Sequence, residues 1–457
     1  MHNSKVIDLI KKSITNSSFA GKTYVVGGFV RDLVMEIVSD DIDIVVELPE
    51  GGRKLADFLH EKKVASRPVI YDNFGTALAE INGYKVEFVM TRKESYRDKD
   101  RKPEVAGGTL AEDIFRRDFT INSLLLDVIT GEIKDITGKG LSDIENGIIR
   151  STSEPDIIFK EDPLRMLRAV RFASRFNFII EENTQTGIRK NARMLQHISW
   201  ERRRDEFTKM LAQRNPIPAL KMLLDFGLLK YVVPELLEIV GLQQDKHHDL
   251  DAWEHSLKVV ENIRPTLKLH LIALLHDVGK ARVKSEAEYG IHFYKHEVVS
   301  SELAHKIMRR LKFSNDEIKE VEIVIRNHMR LKDAGTEAEK ISDKAIRRLI
   351  LQTGNVLDPL LELIHADNIS HAKAYNLPMQ IPKLKLRLEA IKEEMKKKSL
   401  PITGSDIMNF FKLKSGEDIG KLLDRATEIW LESPDKSRDE ILIELHKGYS
   451  QNIVGKS

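Results

Sequence analysis

Two carboxylates, Asp41 and Asp43, flank Ile42 in the run Asp41-Ile42-Asp43-Ile44 of a 457-residue chain. Side chains on a β-strand alternate between its faces, so this spacing puts both carboxylates on one side and both isoleucines on the other. Paired carboxylates of this kind can share Mg²⁺, a hard cation that prefers oxygen ligands. Just upstream, Tyr24-Val25-Val26-Gly27-Gly28-Phe29-Val30-Arg31-Asp32 reads as a short apolar strand, a glycine break and a helical start. Such a turn brings backbone N–H groups and a helix N-terminus close to a phosphate. Taken singly, a Gly-Gly is a turn and an Asp-x-Asp a solvated strand end. A phosphate cradle followed at once by a metal-binding strand is what nucleoside triphosphate chemistry requires.

The elements that must hold these residues can be read on either side of them. Residues 5–16 have the period of an amphipathic helix, and Arg53 to Lys62 that of a helix after the Asp-x-Asp strand. Thr76 to Ile81 and Lys85 to Met90 read as strands joined by Asn82-Gly83, a hairpin signal, which makes a mixed sheet. Glu87 interrupts the apolar residues of the second strand. The pattern leaves it either a carboxylate with a buried partner or an outward-facing surface residue. Arg97 to Gly108 is charged and aperiodic and predicts a mobile loop. Thr109 to Ser123 then supplies two guanidinium forks suited to phosphate and, in Asp118, a carboxylate that could accept a ribose hydroxyl.

Beyond Gly140 the chain turns almost wholly helical, so the fold class expected is α+β: a small mixed sheet first, helices afterwards. Asp162, Arg165 and Arg168, at i, i+3 and i+6, are predicted close to one helix face, where an aspartate and an arginine could read the edge of a base. A second chemistry is spelled by His255, His276-Asp277, His296, His328 and Asp367, each in a helical context, from which imidazoles and carboxylates could converge on a divalent metal.

Length alone calls for several domains, since single cores stop growing near roughly 250–300 residues. With Lys+Arg 73 against Asp+Glu 71, the net charge is only +2, so any nucleic-acid surface must come from segregated charge. There is no cysteine, which excludes disulfides and thiolate metal sites. The N-terminus lacks a signal-peptide core, and no apolar run approaches the roughly 20 residues that span a bilayer, so a soluble cytoplasmic protein without a membrane role is expected. Nothing in the sequence calls for an obligate protein partner.

The Gly-Gly-x-x-Arg-Asp and Asp-x-Asp pair resembles the class II (bacterial-type) tRNA nucleotidyltransferase and poly(A) polymerase family, and the stretch 109–123 is similar to that family's second motif. The likeness implies that Asp41, Asp43 and Glu87 are the catalytic carboxylates, with Mg²⁺ on the first two. It further implies that Gly27, Gly28 and Arg31 meet phosphate, that Asp118 meets the ribose, and that Asp162 and Arg165, with Arg168 beside them, recognise CTP or ATP. Residues 97–108 correspond to a flexible loop linked to the switch from C to A addition, and Trp200 to Phe207 to a structural neck. The later histidines resemble the HD phosphohydrolase superfamily, which implies His255, His276, Asp277 and Asp367 as metal ligands, with His296 and His328 auxiliary and the metal Mg²⁺, Mn²⁺, Ni²⁺ or Co²⁺.

Four domains are expected on that basis: a catalytic head over 1–145, a helical neck over 146–242, an HD domain over 243–378 and a tRNA-binding tail over 379–457. The implied activity is template-independent addition of CCA to tRNA 3′ ends from CTP and ATP. The alternatives are CC-only or A-only addition, poly(A) synthesis, and a primary role as an HD phosphohydrolase. Where a poly(A) polymerase usually carries a Gly-Arg-Arg-Phe-type segment, this chain has Arg67 to Phe74, which favours tRNA.

Overall fold

The computed structural model describes residues 4–39, 41–71, 76–95, 104–245, 247–287, 290–334 and 341–454. They form two compact units, Met1–Pro234 and Glu235–Ser457.

The first unit is built on a seven-stranded mixed sheet of order β3-β4-β5-β2-β1-β8-β9. Its strands are β1 (Thr23–Val26), β2 (Ile42–Val46), β3 (Val69–Tyr71), β4 (Thr76–Ile81), β5 (Tyr84–Met90), β8 (Leu125–Asp127) and β9 (Ile133–Lys134); β6 (Arg92–Ser95) and β7 (Glu104–Gly107) pair separately. The predicted Asn82-Gly83 hairpin joins β4 to β5, with both residues at positive φ. Strands β1 and β2 run antiparallel, placing Val26 opposite Asp43, while β2 and β5 run parallel, placing Asp43 opposite Glu87. Ile42, Ile44, Val86 and Phe88 are buried against the Ser4–Ile14 and Gly51–Glu61 helices. The second of these lies close on the strands: a Cβ on Gly52 would fall 2.6 Å from the Phe88 carbonyl oxygen, so only glycine permits the approach. The amphipathic 3.6-residue period and the strand alternation therefore produce one layer of helix against one face of the sheet.

Two expectations are corrected. The charged stretch Arg97 to Gly108 is not all loop: Glu104–Gly107 is a strand paired antiparallel with Arg92–Ser95. Residues 97–103 of the expected mobile loop lie outside the described residues, as do Asp72 to Phe74 of the tRNA-favouring segment. Asp162 does not share a helix with Arg165 and Arg168. Pro163 interrupts the run, so one helix ends at Glu161 and the next, Leu164–Phe176, begins after the proline; Asp162 is the extended joint between them at φ −139°, ψ 98°. The residue before a proline is driven out of the α region by the ring, which explains the break.

The second unit is helical apart from a short hairpin, Ser285–Ala287 with Gly290–His292. At its centre the Leu267–Leu275 helix is mostly apolar and buried from Leu269 onward, and its C-terminal end delivers His276 and Asp277 into the interior. Against it stand the helices Ala252–Asn262, Asn315–Asn327 and Leu357–Ser370, and His296–Arg310 packs on Asn315–Asn327. The expected basic helix from Lys383 is Gln380–Lys397, and it is amphipathic, burying Ile381, Leu384, Leu388 and Ile391. Among the described residues no helix is long and apolar enough to cross a membrane.

Candidate active site and histidine cluster

In the first unit a cavity of about 800 Å³ gathers most of the residues singled out in the sequence: Gly27, Gly28, Arg31, Asp41, Asp43, Asp118, Asp162, Arg165 and Arg168. Its floor is made at the β1–β2 pair. Gly27 sits at φ 78°, ψ −138°, a conformation that L side chains rarely adopt, and a Cβ there would lie 3.4 Å from Asp43 Oδ2. The turn therefore lays bare backbone directly beside the carboxylate. Asp41 is exposed one residue before β2, and Asp43 is half-buried on it. Glu87 lies across from Asp43 on β5 and is exposed, outside the cavity wall. Burial, together with the neighbouring charges of Asp41 and Glu87, pushes the Asp43 carboxyl up to about 6 against the pull of Arg117. A carboxylate held so beside two others is short of a cation, and an all-oxygen set fits Mg²⁺.

The other named residues are held firmly. Asp118 accepts from Phe119 N at 2.8 Å, Asn122 Nδ2 at 3.0 Å and Arg168 Nε at 2.7 Å. Burial disfavours its charge, but Arg168 and these hydrogen bonds prevail and hold it below the usual carboxylate range. Arg31 is buried at 3 % exposure; it donates to Asp32 and, at 2.6 Å, to Asn122 Oδ1, with Phe176 under its guanidinium at 4.7 Å. Its fork thus braces the cavity wall, and burial lowers its pKa. Asp162 Oδ1 accepts the Leu164 backbone N–H at 3.1 Å, and its Oδ2 takes Arg202 at 2.8 Å. Arg165 donates to Glu161 and to the Ile158 carbonyl oxygen. Arg116 and Arg117 both clasp Asp113, which is fully buried.

Sequence reasoning stopped short of Arg171, Arg175, Arg202, Lys209 and Gln213, all of which line the cavity. A signal existed for two of them. Arg168, Arg171 and Arg175 follow the i, i+3, i+7 spacing of one helix stripe. Arg202 and Lys209 stand on the Trp200–Leu211 helix, expected to be structural neck; it also carries Glu206, which anchors Arg171 at 2.6 Å. Eight cationic side chains face four carboxylates in the wall, so the cavity suits an anion with several negative charges.

The second unit brings all six histidine and aspartate ligand candidates together, each buried. Asp277 is the hub. Its Oδ2 lies 3.1 Å from His276 Nε2 and 3.8 Å from His255 Nε2; its Oδ1 lies 3.2 Å from His296 Nε2 and 3.8 Å from His328 Nε2. Asp367 Oδ1 is 3.0 Å from His255 Nε2. In His276, His296 and His328 alike, Nδ1 is 2.7–2.8 Å from the carbonyl oxygen three residues earlier, at Ala273, Phe293 and Ile325. A ring whose Nδ1–H is donated this way turns its Nε2 lone pair inward, the arrangement of a histidine metal ligand. Three inward lone pairs around a carboxylate repel one another unless a cation stands among them, so the donor set fits a divalent metal. Without one, charge on an imidazole is the substitute: burial opposes protonation of His276, but Asp277 and Asp367 raise its pKa. Asp277, against the cost of burial, is held well below the carboxylate range by His276 and Lys280. The sequence reading did not single out Lys280, whose Nζ is 2.6 Å from Asp277 Oδ2, nor His248 and His371 at the edge of the cluster.

A nucleotidyltransferase-type head with a separate HD-type helical unit is the class of protein that these two sites define. Residues 23–150 match the family described as "Poly A polymerase head domain", residues 177–239 "Probable RNA and SrmB- binding site of polymerase A", and residues 252–360 "HD domain". The chain thus carries the head, RNA-binding and HD models of the poly(A) polymerase head type, and bacterial tRNA nucleotidyltransferases are similar to it over most of its length. It is 28 % identical to the CCA-adding enzyme of Ligilactobacillus salivarius over 96 % of this chain and 95 % of that one. It is 29 % identical to the A-adding tRNA nucleotidyltransferase of Deinococcus radiodurans over 88 % of this chain and 90 % of the relative. By contrast it spans about half the length of the fission-yeast tRNA nucleotidyltransferase cca2, at 33 % identity over 48 % of this chain. In fold it is similar to the Bacillus stearothermophilus CCA-adding enzyme solved in complex with CTP, with a TM-score of 0.65 at 21 % identity, covering 99 % of this chain and 98 % of that one.

Proposed function

We propose that this protein is a cytoplasmic tRNA nucleotidyltransferase that adds CCA to tRNA 3′ ends from CTP and ATP, releasing pyrophosphate. The observation that carries this reading is the single cationic cavity that joins Asp41 and Asp43 to Asp162 and Arg165. In this mechanism Asp41 and Asp43 would hold Mg²⁺, which would supply charge neutralisation for the triphosphate and acidity for the attacking 3′-hydroxyl. Glu87 raises the negative field at Asp43, and the bare Gly27-Gly28 backbone leaves room for phosphate oxygens. Asp118, fixed by Asn122 and Arg168, accepts a ribose hydroxyl. Asp162, oriented by Arg202, and Arg165, oriented by Glu161, present an acceptor and a donor to the base, so side chains choose the nucleotide without a template. Residues 1–145 would be the head, 146–242 the neck, 243–378 the HD domain and 379–457 the tail that holds tRNA. Transcripts lacking A, CA or CCA, each incubated with one labelled nucleotide, test the proposal: C should enter the shorter ends and A only after CC. Addition of A alone, or of C alone, would put the chain with the split-activity relatives.

A second activity is favoured by the inward Nε2 atoms of His276, His296 and His328. His255, His276, Asp277 and Asp367, with His296 and His328 auxiliary, would hold Mg²⁺, Mn²⁺, Ni²⁺ or Co²⁺, which would supply an acidified water for hydrolysis of a phosphate or a 2′,3′-cyclic phosphate at a damaged tRNA end. The imidazoles and Asp277 fix the site, and Lys280 offers a charge to the phosphate. Release of product from 2′,3′-cyclic AMP with each metal tests it; no hydrolysis with any of them would leave the transferase alone.

A further inference from the structure

Positive charge is segregated on one further surface of the second unit. A groove of about 350 Å³ runs along the Asn315–Asn327 helix and onto the 3₁₀ segment His328–Ala334 that follows it, lined by Lys319, Ile323, Arg326, Asn327 and Arg330. Lys319, Ile323 and Arg326 recur at i, i+4 and i+7, one stripe of the helix, and Arg330 continues the row. All three cations are exposed, and among the described residues none of them has a hydrogen-bond or ion-pair partner. Carboxylates of the same helix are engaged instead. Glu317 closes a capping box with Ser314, Glu320 pairs with Lys268, and Glu322, in the groove wall, lies 3.1 Å from His305 Nδ1. In a chain of net charge +2, such a row is the segregated charge that a polyanion surface requires.

The chemistry of the lining narrows the ligand. From Lys319 to Arg326 the helix rises about 10 Å, at about 1.5 Å per residue. That is the length of two to three phosphates along one nucleic-acid strand, at about 3.4 Å each. No aromatic ring lines the groove among the described residues, and Ile323 is its one apolar side chain. A base would find nothing to stack on, so a free nucleotide is poorly matched, whereas phosphates of a backbone need only charge and hydrogen-bond donors. The position of the groove is equally specific. Asn327 in its wall, 6 % exposed, is followed directly by His328, whose Nε2 lies 3.8 Å from Asp277 Oδ1, and Arg330 stands two residues further on.

We propose that this groove holds the sugar–phosphate backbone of a single RNA strand, with the end of the strand beside the histidine cluster. Lys319, Arg326 and Arg330 each take a phosphate, and Gln352 adds an amide donor to the same track. The groove reads phosphate alone; that the strand is RNA, and what happens at its end, rests on the proposed function, whereas binding of the strand does not need the cluster to be active. The consequence is a substrate preference. A damaged RNA end fills the groove and a free mononucleotide does not.

The test uses the full chain and a fluorescently labelled, unstructured oligoribonucleotide ending in a 2′,3′-cyclic phosphate, which the head cannot extend. Binding is followed by anisotropy over a series of salt concentrations. Lys319→Gln combined with Arg326→Gln should reduce the slope of log affinity against log salt by about 1.4, about 0.7 for each phosphate contact removed, and weaken binding about tenfold at low salt. Arg326→Lys, which keeps the charge, should stay within about threefold of wild type. Both positions are exposed, and thermal melting reports that the variants are folded. In the double variant, kcat/KM for the oligonucleotide relative to 2′,3′-cyclic AMP should fall about tenfold, through KM. The proposal is overturned if the double variant binds the oligonucleotide with wild-type affinity and salt slope. It is overturned equally if inorganic tripolyphosphate loses as much affinity as the strand, since the groove would then take a free polyphosphate. Groove-dependent binding of the strand, with hydrolysis of neither substrate by the wild type, would keep the groove and remove the phosphohydrolase.

Discussion

The head and the HD-type unit place carboxylates for metal in opposite ways. In the head, Asp41 is exposed, Asp43 half-buried, and their charges are left to repel each other at the edge of an open cavity. In the second unit Asp277 and Asp367 are buried to 2 % and 1 % exposure, surrounded by imidazoles and by the Lys280 ammonium. The Asp43 carboxyl is accordingly pushed up to about 6, and that of Asp277 is held far down. The first site is strained by its own charge until cations and a nucleotide arrive, which suits a site that must load and release substrate at every addition. The second is a closed, buried cluster whose inward lone pairs await a cation, which suits a resident ion.

The largest test of this contrast is catalytic. Asp41→Ala or Asp43→Ala should lower nucleotide addition at least about a hundredfold, roughly 2.7 kcal/mol of barrier, with the fold intact. Incorporation above about a tenth of the wild-type rate would remove these residues from catalysis.

Asp43→Asn should do something more: stabilise the metal-free head at pH 7 by up to about 3 kcal/mol, from a shift of about two pK units at 1.36 kcal/mol each. The sign follows from linkage. A carboxyl whose folded pKa of about 6 exceeds its ordinary 3.8 binds protons more tightly in the native state, so its charged form costs stability at neutral pH. That cost fades as pH falls through 6. Urea unfolding of wild type and Asp43→Asn at pH 7 and pH 5 checks it; an advantage that does not shrink at pH 5, or that survives saturating Mg²⁺ unchanged, would break the comparison.

His276→Ala should move the other way, losing about 1–3 kcal/mol of stability, because a buried ring bonded to the Ala273 carbonyl leaves a cavity and an unsatisfied acceptor. Its bound transition metal should fall with it while CCA addition to intact tRNA persists. Equal loss of both activities would mean that the two sites are not separable.

The smallest effect is expected at the base. Arg165→Ala and Asp162→Ala should raise misincorporation of UTP and GTP by about tenfold, near 1.4 kcal/mol of discrimination, with a smaller change in triphosphate affinity. A uniformly slower enzyme with unaltered selectivity would return both residues to bracing the neck, where Glu161 and Arg202 already hold them.

Much of this molecule was written in local sequence. Alternation at Asp41-Ile42-Asp43-Ile44 set the face that carries the carboxylates, Gly27 marked the bare turn beside them, and Asn82-Gly83 marked the hairpin that leads into the strand of Glu87. These features depend on steric rules that act within a few residues. Local pattern failed at Asp162, where counting helix positions overlooked the proline that follows it.

Tertiary structure alone decided which partners meet. Arg31 is spent on Asn122, 91 residues away, and His255 meets Asp367 across 112 residues. Neither spacing carries a period, because such contacts are selected by how whole helices and strands pack. The same holds for Arg202, Lys209, His248 and His371. Each has an unremarked place in the sequence and acquires its chemistry only when a buried apolar face, such as that of the Leu267–Leu275 helix, pulls its neighbours around a shared charge.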